Sequence, residues 1–289
     1  MKKLNKKKVF FALVILLLII VVAFVYFDKD SSYIVPSGSN IHASVIKIIG
    51  ELGKTSPVEE KRPPVQITEK ATSLSILMYH FFYDKSIGET GADTNWMEIS
   101  DFEEQMKYLS EQEYYYPTWQ EVIDFANGEI DLPKKSIVIT IDDGDLTFFD
   151  LALPILEKYN VNATSFVITA WGGDWKVATY KTPILKTESH SHDMHKSGSD
   201  GKGLFLTISE EAALEDLRAS IEVVGSSNAF CYPFGHYSDR AVEILKTAGF
   251  KAAVTTQGDK VTVGTNPYLL PRVRMAKGDS LNSFISKIQ

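Results

Sequence analysis

The sequence predicts an α/β fold, a single (β/α) barrel whose parallel sheet is covered by helices. Three observations lead there. From Leu74 onward, short apolar runs of strand character alternate with amphipathic helical segments. The alternation continues for about 215 residues, the size of one α/β barrel. The most apolar run, Ser136-Ile137-Val138-Ile139-Thr140-Ile141, stops abruptly at Asp142-Asp143-Gly144. In such barrels the C-terminal strand ends form the active-site face.

The elements follow in order. Ser75 to Tyr79 reads as a buried strand ending at His80. Ser100 followed by Phe102, Met106 and Leu109 predicts a helix with Ser100 as N-cap and Glu103 at the capping-box position. Thr118 to Phe125 predicts another, opened by the pair Thr118 and Glu121. After the 136–141 strand come a helix at 151–159 and a strand at 163–169. A helix at 209–224, a strand at 228–232, a helix at 238–248, a strand at 252–256 and a final helix at 280–288 complete the pattern. No internal repeat is present.

The first residues differ from this body. Lys2, Lys3, Lys6, Lys7 and Lys8 precede an uncharged apolar run from Val9 to Phe27, closed by Asp28, Lys29 and Asp30. As a helix the run would span roughly 28 Å, the thickness of a bilayer's hydrocarbon core. Lysines on one flank predict residues 1–8 as a cytoplasmic tail, 9–27 as a transmembrane signal anchor, and the remainder outside the cytoplasm. A cleaved signal peptide is the competing reading, against which the run is longer than a usual signal core. Residues 28–73 read as an extracytoplasmic linker, because Pro36-Ser37-Gly38, Ser56-Pro57 and Pro63-Pro64 favour extended chain. The folded domain is then 74–289.

Composition narrows the partners. The single cysteine, Cys231, excludes an intrachain disulfide, so the domain depends on its core for stability. A formal net charge of −7 excludes a polyanion-binding role of the nucleic-acid kind.

Two segments carry chemistry. Adjacent carboxylates at Asp142 and Asp143 repel each other, and a cation would relieve that. The alternative is a plain Asp-Gly turn after a strand. In Ser189-His190-Ser191-His192-Asp193-Met194-His195, three of the chain's six histidines lie within six residues. Neutral imidazole is a common metal ligand. Asp143, His190 and His195 would supply one oxygen and two nitrogens and leave a position open for water. Asp142 would remain as a base. Two imidazoles and a carboxylate suit zinc, and cobalt, nickel or manganese accept the same set.

Thr140-Ile141-Asp142-Asp143-Gly144 resembles the first motif of the polysaccharide deacetylases, the nodulation-type domain of carbohydrate esterase family 4, which reads Thr-Phe-Asp-Asp-Gly. The histidine segment resembles the second motif, with the longer spacing of the intercellular adhesin branch that acts on poly-N-acetylglucosamine. Tyr232-Pro233-Phe234-Gly235 resembles the third. Leu77-Met78-Tyr79-His80 and Leu270-Pro271-Arg272-Val273-Arg274 also look like that branch. The resemblance implies a distorted barrel of the deacetylase type and metal-dependent hydrolysis of N-acetyl groups on a polysaccharide. It implies Asp142 as base, Asp143, His190 and His195 as metal ligands, and the Phe234 backbone N–H as oxyanion donor.

The chain departs from the pattern in three places. Cys231 stands where the family has the arginine that orients the base, so the base must be positioned differently here. The C-terminal Leu-x-His is absent, which leaves Asp142, His80 and His236 as candidate proton donors to the leaving amine. Asp174-Trp175 resembles part of the fourth motif but lies before the histidine cluster. His192 has no ligand counterpart, and Trp171 and Trp175 are either sugar-stacking or core and rim aromatics. Peptidoglycan deacetylation, esterase action, and a catalytically weak carbohydrate-binding module are the rival readings.

Overall fold

The computed structural model describes residues 66–289. The expected tail, membrane span and most of the linker lie outside the described residues. Among the described residues, no helix is long and apolar enough to cross a membrane.

The chain adopts the predicted α/β class. Its strands are β1 (Ser75–Tyr79), β2 (Phe81–Tyr83), β3 (Trp96–Glu98), β4 (Ile137–Ile141), β5 (Ala163–Val167), β6 (Leu185–Ser189), β7 (Ala229–Cys231), β8 (Ala252–Val254) and β9 (Val273–Arg274). Seven of them form one sheet in the order β8-β7-β6-β5-β4-β1-β9, with every neighbouring pair parallel. The helices are α1 (Ile99–Glu111), α2 (Trp119–Asn127), α3 (Leu153–Tyr159), α4 (Gly173–Thr179), α5 (Glu210–Val224), α6 (Asp239–Ala248) and α7 (Leu281–Ile288). Parallel strands buried on both faces need apolar residues throughout, and β1, β4 and β5 are buried at every position.

The two-residue strand period sorts these side chains onto two faces. Leu77, Tyr79, Ile137, Ile139 and Ile141 pack outward against Phe102, Met106 and Leu109 of α1, Leu156 of α3 and Phe284 of α7. Ile76, Val138, Phe166, Cys231, Val254 and Leu270 face inward with Trp119, Val122 and Phe125 of α2. One inward cluster drawn from both ends of the sheet makes the sheet a half-barrel. The segment 270–274 links the two ends of the sheet: Leu270 pairs with Val254 of the edge strand β8, and β9 is itself the other edge, with Val273 beside Leu77 of β1.

Local signals account for most helix starts. Thr118 and Glu121 form the predicted capping box of α2. The cap of α1 differs from expectation. Glu98, not Ser100, is its N-cap, and the Glu98 carboxylate accepts from the backbone N–H groups of Ser100 and Asp101. Its charge adds a favourable interaction with the helix dipole that a serine lacks. β6 was not legible as a strand, because Leu185-Lys186-Thr187-Glu188-Ser189 has no apolar run. Its last two polar side chains are buried with partners instead: Ser189 Oγ lies against Ser220 Oγ, and Glu188 accepts from Ser226 Oγ and Ala229 N–H.

Candidate metal centre

β4 carries the first half of the site. Thr140 and Asp142 continue the inward face of Val138, so Asp142 points into the half-barrel and is buried. Asp143 departs from strand geometry with φ 71°, followed by Gly144 at φ 64°. Two successive left-handed residues end the strand and turn the Asp143 side chain toward β6. A side chain at Gly144 would press on Val167, 3.0 Å away, so the tight turn requires glycine there on both counts. Lys176 of α4, a buried lysine, donates to the Gly144 carbonyl at 2.8 Å and pins the turn.

β6 carries the second half. Ser189 faces α5, so His190, one residue on, turns into the site. Its Nδ1 lies 2.8 Å from the Cys231 carbonyl oxygen. A carbonyl only accepts, so Nδ1 donates, and Nε2 is the nitrogen turned toward Asp143. Ser191 then takes a left-handed conformation, φ 70°. The Asp216 carboxylate of α5 accepts the backbone N–H groups of His192 and Asp193, which holds the loop that delivers His195. The His192 ring itself lies against Thr169 Oγ1, away from the cluster.

The ligand atoms of Asp143, His190 and His195 lie within 4.8 Å of one another. Asp143 Oδ1 is buried and accepts no hydrogen bond, yet lies 3.4 Å from His190 Nε2 and 3.6 Å from His195 Nε2. Donors about 2.0–2.1 Å from a tetrahedral ion are separated by roughly 3.3–3.4 Å. Spacing, donor types and the orphaned oxygen all fit a divalent cation. Burial, reinforced by the neighbouring His190, pushes His195 down to about 4, so its imidazole is neutral, as a ligand must be.

Asp142 stands beside this trio in a different setting. Arg272 Nη1 donates to Asp142 Oδ1 and Nη2 to Oδ2, both at 2.7 Å. The guanidinium is fully buried, and its remaining donors reach Thr255 O at 2.8 Å and Thr140 Oγ1 at 3.0 Å. Burial alone would raise the Asp142 carboxyl, but Arg272 overrides it and holds the group well below the usual carboxylate range. Cys231 Sγ donates to Asp142 Oδ2 at 3.4 Å and accepts from Arg272 Nη2 at 3.3 Å. Asp142, His190 and Cys231 also lie close enough to be considered a ligand set. Arg272 argues against it, because both Asp142 oxygens are taken and a second cation would sit against a fixed guanidinium.

The arginine whose absence was expected to alter the base's setting is therefore supplied by β9's approach, not by β7. Its signal was present in Leu270-Pro271-Arg272, where nothing local indicates its role. His80 Nε2 lies 3.7 Å from Asp142 Oδ2, and burial lowers the His80 pKa. His236 is exposed, and its Nδ1 accepts the Gly203 N–H at 3.0 Å.

After β7, Phe234 adopts φ 60° and Gly235 φ 71°. A Cβ on Gly235 would fall 2.0 Å from Thr256 Oγ1, so this turn also demands glycine. The Phe234 ring centre lies 4.3 Å from that of His195. Asp143, Ser191 and Phe234 thus concentrate backbone strain around one point, as functional sites do. Trp171 stands 6.1 Å from His195 on its other flank, whereas Trp175 packs near Tyr180 at 6.0 Å.

Residues 129–253 match the family described as polysaccharide deacetylase. The poly-beta-1,6-N-acetyl-D-glucosamine N-deacetylase of Staphylococcus aureus (strain MRSA252) is 29% identical over 221 residues, which cover 71% of this chain and 74% of that protein. IcaB from Ammonifex degensii superposes with a TM-score of 0.62 at 26% identity, over 76% of this chain and 98% of that one. The Streptococcus pyogenes deacetylase PplD, solved in complex with acetate, has the same fold, with a TM-score of 0.65 at 21% identity over 76% and 99% of the two chains.

Proposed function

Because residues 129–253 match the family described as polysaccharide deacetylase, we propose that the chain is a metal-dependent N-deacetylase acting on a cell-surface polymer of the poly-N-acetylglucosamine type. The observation that carries this reading is the division between two adjacent aspartates. Asp143 shares an orphaned oxygen with two imidazoles, while Asp142 is held apart, ionised, by Arg272. The polymer class is supported by the Staphylococcus aureus relative, named for poly-beta-1,6-N-acetyl-D-glucosamine and aligned over 74% of its length. We read the half-barrel as the distorted (β/α) barrel of this domain type, with the segment 270–274 spanning its two edges.

A divalent cation, zinc by its donor set, held by Asp143, His190 and His195 would polarise the acetyl carbonyl and make water more acidic. Asp142 accepts the proton that the attacking water gives up. With its carboxyl held so low it retains that proton weakly and passes it on. His80, 3.7 Å away and half-buried, is the group best placed to deliver it to the nitrogen. The hydroxyl stays on the acetyl carbon, the C–N bond breaks, and acetate and a free amine result. His236 is less suited, since its Nδ1 is engaged by Gly203. The Phe234 N–H serves the developing oxyanion.

The lysine cluster at residues 2–8 and the apolar run 9–27 support an anchor that leaves the domain outside the cytoplasm. The enzyme reading is tested by acetate and free-amine release from N-acetylglucosamine oligomers and from peptidoglycan, with chelator and after zinc is restored. Chelator-insensitive release removes the metal from the scheme, and release from peptidoglycan alone reassigns the substrate. Asp142→Asn is expected to abolish turnover with zinc content unchanged.

A further inference from the structure

The chain after His195 folds back on itself as a hairpin from Lys196 to Leu204. The Leu204 N–H donates to Lys196 O at 2.7 Å, Ser197 pairs with Gly203, and the Gly198 N–H donates to Lys202 O at 2.6 Å. Its first residue follows His195 directly. Its returning end is anchored by Phe205, which is buried against Phe230 of β7 and Tyr232. The hairpin therefore begins at one half of the site and ends beside the other, the turn Tyr232-Pro233-Phe234-Gly235.

Gly203 meets that turn closely. A Cβ on it would stand 3.3 Å from Pro233 O and 3.4 Å from the Phe234 ring. A hydrogen bond joins hairpin to turn there: the Gly203 N–H donates to His236 Nδ1 at 3.0 Å. His236 is tied to the turn from its other side, because its own backbone N–H donates to Pro233 O at 3.1 Å. The imidazole thus bridges the two segments. Phe234, at φ 60°, is held in a conformation that needs support from its surroundings.

We propose that His236 is a positioning residue: through Nδ1 it latches the 196–204 hairpin onto the Phe234 turn, and so keeps the Phe234 N–H in register with His195. The inference rests on the deacetylase reading. It gives His236 a role in the reaction that involves no proton transfer.

The test separates the two ring nitrogens. Asparagine places an oxygen where His236 has Nδ1, and glutamine places one where it has Nε2. In the zinc-loaded full chain, His236→Ala and His236→Gln are expected to lower kcat about 10-fold, less than the loss of an oxyanion donor outright. KM should change by less than about twofold, because the donor acts on the transition state. Zinc content should stay at the parent level. His236→Asn is expected to recover most of the lost kcat. Hydrogen exchange over residues 197–206, followed by mass spectrometry, reads the latch without substrate. Exchange at Gly203 should quicken about 10-fold in the Ala and Gln variants, the worth of one hydrogen bond, and stay near the parent rate in His236→Asn. Parent-like exchange in His236→Ala overturns the latch. So does quickened exchange with kcat unchanged, or a loss of kcat in His236→Asn as deep as in His236→Ala. If the parent releases no acetate from any N-acetylated polymer, it is the deacetylase reading that falls, and with it the latch's part in catalysis.

Discussion

Arg272 holds Asp142 through two parallel hydrogen bonds of 2.7 Å, although 130 residues separate them in the chain. The fork fixes the carboxylate plane as well as its charge. Arg272 is itself held by Thr255 and Thr140, so Asp142 sits on a rigid support, not on a mobile side chain.

Arg272→Lys keeps the charge and loses the fork. Asp142 should remain ionised but free to rotate, so kcat should fall about 100-fold while zinc content stays at the parent level. Arg272→Met leaves the Asp142 carboxylate buried without its partner, which should cost about 3–5 kcal/mol of stability. Urea unfolding together with steady-state kinetics separates the two effects.

Lys176→Met preserves the stem that α4 buries and removes the ammonium from the Gly144 carbonyl. The left-handed pair Asp143-Gly144 is then less firmly held, and Asp143 aims less well at the two histidines. Zinc affinity should drop about 10- to 100-fold, as for other groups that orient metal ligands. Turnover should recover at saturating zinc, and a loss that persists there would rule out this role.

The fold was legible wherever side chains announce their own environment. Ile137 to Ile141 is apolar at all but one position and ends in charges, and that fixes both the strand and its functional end. Asp143, His190 and His195 could be grouped because their residue types share one chemistry. β6 was hidden because its buried groups are satisfied by partners far away, Ser220 and Ser226. Arg272 was hidden for the same reason. A burial this costly is visible only once Asp142, Thr140 and Thr255 surround it.

Low pH should loosen the ion-free protein in a way traceable to His195. Burial holds its folded-state value near 4, below the ordinary 6.5. Between those values the unfolded chain binds a proton that the folded chain refuses, so stability falls as pH drops from about 6.5 to 4. Above 6.5 this residue contributes no pH dependence. His195→Gln should flatten that part of the profile in thermal melts of the zinc-free protein. An unaltered slope would show that His195 takes up protons as freely folded as unfolded.

Asp216→Asn tests the loop that presents His195. The aspartate accepts the His192 and Asp193 N–H groups with separate oxygens. Asparagine has one accepting oxygen, so one amide loses its partner. His190 is anchored independently through the Cys231 carbonyl, so the distortion should fall on His195 alone. Zinc should bind about 10-fold more weakly, measured by competition with a chelator.

Cys231 gives the sharpest test of how Asp142 is held by an arginine so far along the chain. Its thiol lies between Asp142 Oδ2 at 3.4 Å and Arg272 Nη2 at 3.3 Å, in the inward cluster. A side chain larger than cysteine there would occupy the volume that the guanidinium fills, in an interior packed too tightly to accept both. Cys231→Arg alone should therefore be destabilised and inactive, because two buried guanidinium groups share one carboxylate. Removing the native arginine at the same time, in Cys231→Arg/Arg272→Ala, frees the space and leaves one cation for one anion. The double variant should be more stable than either single variant and should regain part of the lost kcat. Such non-additivity, read in a double-mutant cycle, is expected only if the two positions compete for one place beside Asp142. Strictly additive losses would mean that Cys231 is an ordinary packing residue and that its size has no bearing on how Arg272 reaches Asp142.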